Sequence, residues 1–409
     1  LQKILVPNDF EMKFNLGKNV LFSTLYNPNY VGSYMVMILP IAVSLFLYSK
    51  KGIMNIIYWF ISALIFANLI GCRSTGGFIA AVIAGVVFLM FFKSKLLKEK
   101  RKIIILFISF LGIFVLLDLK FNGDIIGDII RNITKTKVAE EEKNEVLIED
   151  IELKNDELII SEKDKALKIK ITDDIRIYDE EDNQLDVSVD NNYILIDDEE
   201  NNYYKIMIAD ESSGIIFIEN KKVYFSFLKN GKMLLHGSKY MIYDQLKDVE
   251  TFGFKGMEGF ATKRGYIWSR TFPLLKDYLL IGSGPDTYVF VFPQYDLLGK
   301  LNAYNSFGTI IDKPHNLYLQ IAINTGLISL LAFLGIVIVY FVSCIKLFWK
   351  KNLTKVEEYI GMSIFISVLA YCIAGLGNDS VVSVAPIFWI LLGVGISINY
   401  RLNKHNEIV

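Results

Sequence analysis

The segment LISLLAFLGIVIVYFVSCIKLF, Leu327–Phe348, decides the fold class, because no residue from Leu327 to Ile345 is charged. A helix that crosses the hydrocarbon core of a bilayer needs about 20 mostly apolar residues, and this run has that length. Of the 409 residues, 53% are hydrophobic, which is high for a soluble chain. The sequence therefore predicts an integral membrane protein.

Six further apolar runs are long enough to be considered as membrane-crossing helices. The seven candidates are residues 31–49, 53–72, 76–92, 103–118, 327–348, 360–376 and 382–400. The third and fourth runs are short, and the alternative for such a run is a buried soluble helix or a re-entrant segment. Together the runs predict an all-α polytopic membrane protein with about seven transmembrane helices.

Basic residues follow every second run. They are Lys50, Lys51, Lys93, Lys95, Lys98, Lys100, Arg101, Lys102, Lys346, Lys350, Lys351, Lys355, Arg401 and Lys404. Because cytoplasmic loops carry an excess of Lys and Arg, we expect these ends to face the cytoplasm. Residues 1–30, the turn around Arg73, the stretch 120–326 and the turn 378–380 are then extracytoplasmic. The chain starts at Leu1 without a methionine, and we expect further helices to precede it.

Between the fourth and fifth runs the pattern changes to short β-rich segments. ALKIKI, IRIY, LDVSV, YILI, YYKIMI, GIIFI, KVYFSF and KMLL, from Ala166 to Leu235, alternate with polar turns. This spacing predicts an inserted antiparallel β-domain of six to eight strands, preceded by the charged lead-in VAEEEKNEVLIEDIELKNDE. Residues 140–200 contain 23 acidic and 7 basic residues. The acidic turns can bind calcium, but no EF-hand loop is present, so a solvated surface on an accessory module for partner or polymer contact is favoured.

Composition argues against several classes of function. The chain has 43 basic and 44 acidic residues, which argues against a globally basic nucleic-acid binder. The three cysteines lie in or beside apolar runs and form no CxxC pair. The three histidines show no paired spacing of the kind that zinc sites use. We therefore expect neither a catalytic metal nor another cofactor.

Arg73 is the first candidate functional residue, in GCRSTGGF at a predicted extracytoplasmic helix end. Charged groups near hydrocarbon are costly and tend to be kept for function. A guanidinium in this place can bind a phosphate through two parallel hydrogen bonds. The alternative is an arginine that anchors a helix end at the membrane surface.

The second candidate region is RGYIWSRTFPLLKDYLLIGSGPDTYVFVFPQYD, from Arg264 to Asp296. Arg264, Trp268, Thr271 and Leu275 follow helical spacing on one face, and GSGP then predicts a turn. A GxG sequence alone is a weak phosphate-loop signal, and no Walker lysine follows it. The alternative is a broken helix that lies on the membrane, with its arginines on lipid headgroups.

His315 is the third candidate, in DKPHNLYLQIAINTG shortly before the fifth apolar run. Pro314 favours an extended approach to a helix start. A histidine there can take a proton from a hydroxyl group at neutral pH. The alternative is a hydrogen-bonded histidine at the membrane interface.

Taken together, these segments resemble the O-antigen ligase and O-antigen polymerase superfamily of membrane glycosyltransferases. Four blocks carry the resemblance: NPNYVGSYMVMILP from Asn27, CRSTGGFIAAV from Cys72, RGYIWSRTFPLLKDYLLIGSGPDTYVF from Arg264 and HNLYLQIAINTGLISLLAFL from His315. The last two are the most specific. The resemblance implies a glycosyltransferase C-like helical core and further helices before the first block. The acidic β-domain departs from the family's pattern, since most relatives have a shorter segment there.

The resemblance also implies the reaction and its participants. The donor is a polyprenyl-pyrophosphate-linked oligosaccharide, the acceptor is a glycan or lipid-linked hydroxyl, and membrane lipids surround the enzyme. Transfer needs no metal and inverts the anomeric carbon. Arg73 and Arg264 match the family's arginines and are expected to stabilise the departing pyrophosphate, while His315 matches the histidine that activates the acceptor.

Secondary candidates for substrate binding are Arg270 and Asp286, together with aromatic residues that can stack on sugar rings. The aromatic residues are Tyr266, Trp268, Tyr288 and Tyr318. Anchoring at the membrane interface is the commoner reason for aromatic residues in such a place. We divide the chain into 1–118 with helices one to four, the acidic insertion 119–250, the catalytic loop region 251–326, and 327–409 with helices five to seven.

Two other functions compete with the enzyme. A transporter of polysaccharide or lipid-linked glycan can use arginines only to guide an anionic headgroup, but such proteins often have inverted repeats, and none is evident here. A sensor needs an output domain, and no kinase or receiver sequence is present. Ligase and polymerase differ only in the acceptor, and the four blocks do not separate them.

Overall fold

A computed structural model describes residues 23–25, 27–50, 52–127, 146–154, 157–171, 175–190, 192–210, 213–227, 232–237, 241–349 and 351–408. These residues belong to two compact units. The helical unit takes its residues from 1–134, 315–322 and 326–409, and the sheet unit takes its residues from 135–314 and 323–325.

Ten α-helices are numbered along the described chain. They are α1 (Pro28–Tyr48), α2 (Ile53–Gly71), α3 (Thr75–Lys98), α4 (Lys100–Lys120), α5 (Phe260–Tyr278), α6 (Tyr288–Val291), α7 (Leu297–Tyr304), α8 (Leu317–Phe348), α9 (Val356–Ala374) and α10 (Ala385–Ile408). Seven of them, α1 to α4 and α8 to α10, are long and apolar enough to cross a membrane. This confirms the prediction of about seven such helices.

Several helix limits differ from the predicted ones. Helix α8 begins at Leu317, before the apolar run and where Pro314 predicted a helix start, and the side chain of Asn316 caps its first turn by accepting hydrogen bonds from the backbone amides of Tyr318 and Leu319. Gly326, with φ of 87°, interrupts the helix at the boundary where the apolar run starts. Helices α3 and α4 extend into the lysine-rich linker that the hydropathy pattern excluded.

The core of the helical unit lies around α1, α3 and α9. Helix α9 is the most enclosed of the seven candidate spans. In its most apolar 18-residue stretch 72% of the residues are buried, whereas in that of α4 only 6% are. A Cβ atom on Gly32 would lie 2.6 Å from Cβ of Ser74, so the start of α1 approaches the start of α3 too closely for a side chain. Small residues at such a crossing are typical of membrane helices, whose apolar outer faces meet lipid.

Contacts at the helix termini define two ends of this bundle. At the His315 end, the backbone amide of Leu317 donates to the carbonyl of Gly375, joining the start of α8 to the end of α9. At the opposite lysine end, Lys102 donates to the carbonyls of Phe46 and Leu47, joining the start of α4 to the end of α1. Described basic residues at the lysine end include Lys95, Lys98, Lys102, Lys351 and Arg401.

The sheet unit contains two antiparallel sheets between α4 and α5 in the chain. Strands β1 (Ile148–Lys154), β2 (Glu157–Glu162), β3 (Ala166–Ile171) and β4 (Ile175–Tyr178) form the first sheet in sequence order. The second sheet runs from β5 to β11 in sequence order, with β5 (Val187–Asp190), β6 (Tyr193–Ile196), β7 (Tyr204–Asp210), β8 (Ser213–Ile218), β9 (Lys221–Phe227), β10 (Met233–His236) and β11 (Ile242–Tyr243). The antiparallel β-domain is therefore confirmed.

The number and start of the strands correct the sequence prediction. Eleven strands lie in the described part of the chain, where six to eight were expected. The predicted lead-in contains β1, with buried Ile151, and β2 begins at its last residue, with buried Leu158 and Ile160. Its many carboxylates obscured the alternating pattern, because the acidic residues occupy the outward positions of these strands.

Helix α7 packs on the sheets and holds the segment after β11 to the same unit. Leu297 and Leu301 are buried among the strand residues. Asn302 exchanges two hydrogen bonds with the backbone of Ile148, at 2.7 and 3.2 Å, so it pairs with β1 as a strand would. The backbone amide of Lys222 in β9 donates to the carbonyl of Asn305.

Candidate functional site

Arg73 lies in a tight turn between α2 and α3 at the His315 end. Its backbone has φ of 53°, in the left-handed region, and the next residue, Ser74, caps α3 by accepting a hydrogen bond from the amide of Gly77. The guanidinium is 15% exposed and lies 3.6 Å from a carboxylate oxygen of Asp124. The guanidinium also donates to the backbone carbonyl of Asp124 at 3.5 Å, so a phosphate anion that binds here has to share Arg73 with Asp124.

His315 precedes the cap of α8 and also has a left-handed backbone, with φ of 49°. Its Nδ1 atom lies 2.7 Å from Oδ2 of Asp379. The imidazole is 38% exposed, whereas the Asp379 side chain is fully buried. The arrangement suits an imidazole that is protonated on Nδ1 and donates a hydrogen bond from Nδ1 to the carboxylate. The other ring nitrogen, Nε2, is then free of a proton and can accept one.

The segment that carries His315 is clasped to the turn that carries Asp379. Gln320 and Ser380 exchange two hydrogen bonds, one in each direction, at 2.7 and 3.0 Å. The side-chain amide of Asn316 donates to the carbonyl of Leu376. The histidine and its carboxylate are therefore held in register by side-chain and backbone bonds on both sides.

Asn378 links this turn to the start of α3. Its amide nitrogen donates to the hydroxyl of Ser33 in α1, and a Cβ atom on Gly76 would lie 3.3 Å from that nitrogen. Ser74, adjacent to Arg73, in turn donates to the side chain of Asn29. The Arg73 turn and the Asp379 turn thus share the same packed end of the helical unit.

Asp379 is the functional candidate that sequence reasoning missed. Its second oxygen, Oδ1, is buried and makes no hydrogen bond to any described residue. The segment GLGNDS had been interpreted only as a short turn between apolar runs. The available signal was a carboxylate between two membrane helices on the side expected to carry His315, where an uncompensated charge is costly.

Tyr318 lies on the first turn of α8, in the helical unit. Its hydroxyl donates to the carbonyl of Cys372 at 2.8 Å, and its ring meets that of Phe333 edge to face, with ring centroids 6.3 Å apart. This side chain is therefore fixed between α8 and α9, next to the clasp around His315.

Arg264 belongs to the sheet unit, at the beginning of α5. Ala261, Thr262 and Lys263 have positive φ, between 49° and 69°, so the regular helix starts after them. The guanidinium of Arg264 donates to the carbonyl of Ala261 at 2.7 Å, and the residue is half-buried.

Trp268 follows one turn later on α5, as the helical spacing predicted. Its indole nitrogen donates to the carbonyl of Pro314 at 2.8 Å. The ring also meets Phe254 and Phe260 edge to face, with centroids 5.8 and 6.3 Å away. The ring contacts fix the position of Trp268, and its hydrogen bond in turn holds the backbone at Pro314.

Arg270 forms a buried ion pair with Asp296, with Nε 2.8 Å from Oδ2 and side-chain exposures of 11% and 8%. The guanidinium lies 4.4 Å from the ring centre of Tyr266, and it also donates to the hydroxyl of Ser269. Asp296 in addition caps α7 through the amide of Gly299. Burial and the neighbouring carboxylate of Asp296 raise the pKa of Tyr266 well above its ordinary value.

The GSGPD turn is confirmed as a turn, and Asp286 lies in it with φ of 55°. The backbone amides of Ser283 and Gly284 donate to the carbonyls of Ile323 and Asn324, which belong to the same unit. Tyr288 is buried behind it, with its hydroxyl 2.6 Å from that of Thr271. The turn is therefore held by backbone bonds, and its role in substrate binding stays a prediction.

The predicted residues fall into two sets, one in each unit. Arg73, His315 and Tyr318 lie at one end of the helical unit, whereas Arg264, Trp268, Arg270 and Asp286 belong to the sheet unit. Within the described ranges, no group of three or more His, Cys, Asp or Glu side chains lies together as a metal site would require.

Comparison with known proteins identifies a family over part of the chain. Residues 223–334 match the protein-family model described as O-antigen ligase. This match supports the resemblance to the O-antigen ligase and polymerase superfamily that was inferred from the sequence, and it covers the blocks from Arg264 and His315. The blocks from Asn27 and Cys72 lie outside the matched residues. No curated protein and no solved structure matches the chain significantly. The matched segment contains Arg264 and His315 but neither Arg73 nor Asp379.

Proposed function

We propose that this chain, as a protein of the O-antigen ligase and polymerase superfamily, is a membrane glycosyltransferase. In this proposal it moves a glycan from a polyprenyl pyrophosphate to an acceptor hydroxyl at the outer face of the cytoplasmic membrane. The transfer is metal-independent and inverts the anomeric carbon. The observation that carries the proposal is the pair of His315 and buried Asp379, on the same bundle end as Arg73.

The distribution of charge supports the proposed sidedness. Basic residues gather at the lysine end, and the positive-inside rule assigns that end to the cytoplasm. The His315 end then faces outward, where the headgroup of a flipped polyprenyl donor lies. On this assignment the sheet unit, which follows the outward end of α4 in the chain, is extracytoplasmic, and the helices form a glycosyltransferase C-like core.

His315 acts as the general base in the proposed reaction. Because Asp379 accepts the Nδ1 proton, Nε2 can take the proton of the acceptor hydroxyl as its oxygen attacks the anomeric carbon. The imidazolium that forms is stabilised by the adjacent buried carboxylate, which cannot be screened by water. A histidine without this partner would spend part of its time in the wrong tautomer.

The leaving group needs positive charge on the opposite face of the sugar. As the bond between the anomeric carbon and the pyrophosphate oxygen breaks, its electron pair stays on the pyrophosphate. The guanidinium of Arg73 and the first backbone amides of α3 can stabilise that charge, because a helix start attracts anions. Family resemblance assigns Arg264 the same role.

The remaining predicted residues bind or position substrate in this proposal. Trp268 and Tyr318 offer aromatic rings to sugars, and Asp286 offers an acceptor on the GSGPD turn. Arg270 is a positioning residue, since Asp296, Tyr266 and Ser269 already engage its guanidinium.

The test is transfer by the purified full-length protein in nanodiscs that contain a polyprenyl-pyrophosphate oligosaccharide and its acceptor, in the presence of EDTA. We expect turnover by the wild type, and a loss of at least a hundredfold in His315→Ala, Arg73→Ala and Arg264→Ala. Two variants serve as matched controls: His236→Ala removes a histidine that bonds to Ser226 in the sheets, and Arg401→Ala removes an exposed arginine at the lysine end.

Each outcome has a definite meaning. Full activity in the three site variants would contradict the residue assignment. If EDTA abolished turnover and a divalent cation restored it, the metal-independent mechanism would be wrong. If the wild type moved several donors across a liposome membrane without transferring any glycan, the chain would be a transporter.

A further inference from the structure

The outer face of the seven-stranded sheet is unusually aromatic. Its inner face is packed with fully buried residues such as Ile206, Ile216 and Val223. The opposite face of an antiparallel sheet usually meets water and is polar. Here that face instead carries Tyr193 and Phe217, whose ring centroids lie 5.9 Å apart.

Strand register explains how these residues meet. Leu195 in β6 lies opposite Lys205 in β7, and Lys205 lies opposite Phe217 in β8. Residues directly opposite one another in antiparallel strands point to the same face. Tyr193 is two positions from Leu195 on β6 and therefore shares that face. These four residues, Tyr193, Leu195, Lys205 and Phe217, line one cavity.

The cavity has a volume of about 560 Å³. Its lining comprises Asp190, Tyr193, Leu195, Asn202, Tyr203, Lys205, Phe217 and Glu219. Aromatic rings and a leucine supply apolar surface, two carboxylates accept hydrogen bonds, a lysine donates them, and an amide does both. Glu162, Lys165 and Lys222 contact the tyrosine and phenylalanine rings of the lining, so three carboxylates and three ammonium groups balance around the cavity.

Tyr203 forms a wall whose position is fixed. Its hydroxyl donates to Glu162 at 2.7 Å, and the neighbouring Tyr204 donates to the same carboxylate oxygen. Burial and the bond to Glu162 raise the pKa of the Tyr203 phenol, so this group stays protonated and keeps donating. The ammonium of Lys165 lies 4.7 Å from its ring centre. A wall held in this way is formed before any ligand arrives.

We infer that this cavity is a binding site for a neutral or amino-sugar oligosaccharide. A pyranose ring has an apolar face of C–H groups, which packs on aromatic rings, and a rim of hydroxyls that both donate and accept hydrogen bonds. The lining offers both kinds of partner within one concave surface. Because the charges around the cavity balance, an uncharged sugar fits it without an unpaired ionic group.

The inference rests on the proposed function, because a glycan transferase handles the kind of ligand that the cavity fits. A site of this kind holds a segment of the growing or transferred chain away from the reacting carbon. It raises the local concentration of glycan without taking part in bond making.

The experiment measures saturation-transfer difference NMR and titration binding with the full-length protein in nanodiscs. The probes are the oligosaccharide released by mild acid from the source cells' polyprenyl-linked pool, chitotetraose as a defined neutral glycan, and a sialylated trisaccharide as an acidic one. We expect saturable binding of the released oligosaccharide or chitotetraose, and binding at least tenfold weaker for the sialylated probe.

Variants locate the binding. Tyr193→Ala and Phe217→Ala are each expected to weaken binding at least tenfold, whereas Tyr224→Ala, on the same face but outside the lining, leaves it unchanged. If circular dichroism shows that an alanine variant does not fold, Asp190→Asn is used in its place, because Asp190 is exposed and the change is conservative. Absence of binding to any neutral probe, or equal binding by all folded variants, would overturn the inference.

A second arm separates this inference from the proposed function. His315→Ala is expected to bind glycan as the wild type does while losing transfer. If the wild type binds glycan but transfers none with any donor, the proposed function fails and the binding site stands. If transfer occurs and no glycan binds to the sheets, only the inference fails.

Discussion

The Nδ1 atom of His315 lies 2.7 Å from Oδ2 of Asp379, and the carboxylate is fully buried while the imidazole is partly exposed. His315 precedes α8 and Asp379 follows α9, so the two residues are 64 positions apart in the chain. A buried acceptor behind an accessible imidazole defines which ring nitrogen faces the solvent, and this relationship has direct kinetic consequences.

Replacement of Asp379 by asparagine is expected to lower turnover by roughly a hundredfold to ten thousandfold. The amide can donate to Nδ1, which moves the imidazole proton to Nε2 and removes the base. KM for the donor should change little, because the Asp379 side chain is fully buried behind the histidine. Steady-state transfer rates check this, with Asp312→Asn as an exposed control. Wild-type kcat in Asp379→Asn would contradict the mechanism.

Replacement of Arg270 by methionine is expected to lower the free energy of unfolding of the sheet unit by about 3–5 kcal/mol, because it leaves the buried carboxylate of Asp296 unpaired. Thermal unfolding followed by tryptophan fluorescence measures this, and the double variant with Asp296→Asn should recover part of the loss. If Arg270→Met melts like the wild type but raises KM for the donor, Arg270 binds substrate directly.

Gly282 holds the GSGPD turn against the chain at Asn324. A Cβ atom there would lie 2.4 Å from backbone atoms of Asn324 and Thr325, and φ is +76°. Gly282→Ala is therefore expected to destabilise the unit by more than about 2 kcal/mol and to reduce transfer. Gly253→Ala is the matched control, since its φ is +69° and nothing lies within 4 Å of the added atom. Equal melting temperatures in the two variants would show that the contact is not rigid.

Lys300 makes stability depend on pH. Burial lowers the pKa of this lysine to about 8, and its ammonium donates to Gln294. Between about pH 8 and 10 the unfolded chain holds a proton that the folded chain has released, so stability should rise with pH in this window. Melting temperatures of the wild type relative to Lys300→Met, measured from pH 7 to 10, check the sign. A difference that shrinks or stays flat as pH rises would contradict it.

Much of the fold was predictable because apolar runs and charge alternation act over whole segments. The seven long apolar helices and the antiparallel β-domain are confirmed. Strands β1 and β2 were missed because the buried residues Ile151 and Leu158 are surrounded by acidic residues, which lower the local mean hydropathy. The early start of α8 depends on the cap formed by Asn316, which hydropathy does not register.

The candidate site was only half accessible to sequence reasoning. Arg73 and His315 stand out as rare charged or titratable groups beside membrane helices. Asp379 becomes evident only when α8 and α9 are paired, since its significance comes from a contact across 64 positions. The partners Asp124 and Asp296 likewise depend on tertiary contacts, and no local pattern indicates which arginine each will meet.

The paired hydrogen bonds between Gln320 and Ser380 have a consequence for substrate entry. If the chain takes a lipid-linked donor from the bilayer, as proposed, helices have to separate to admit it. The two hydrogen bonds tie the start of α8 to the segment after α9, so a separation of these two termini would break both bonds. Separation between other helices would leave the contact of His315 with Asp379 intact.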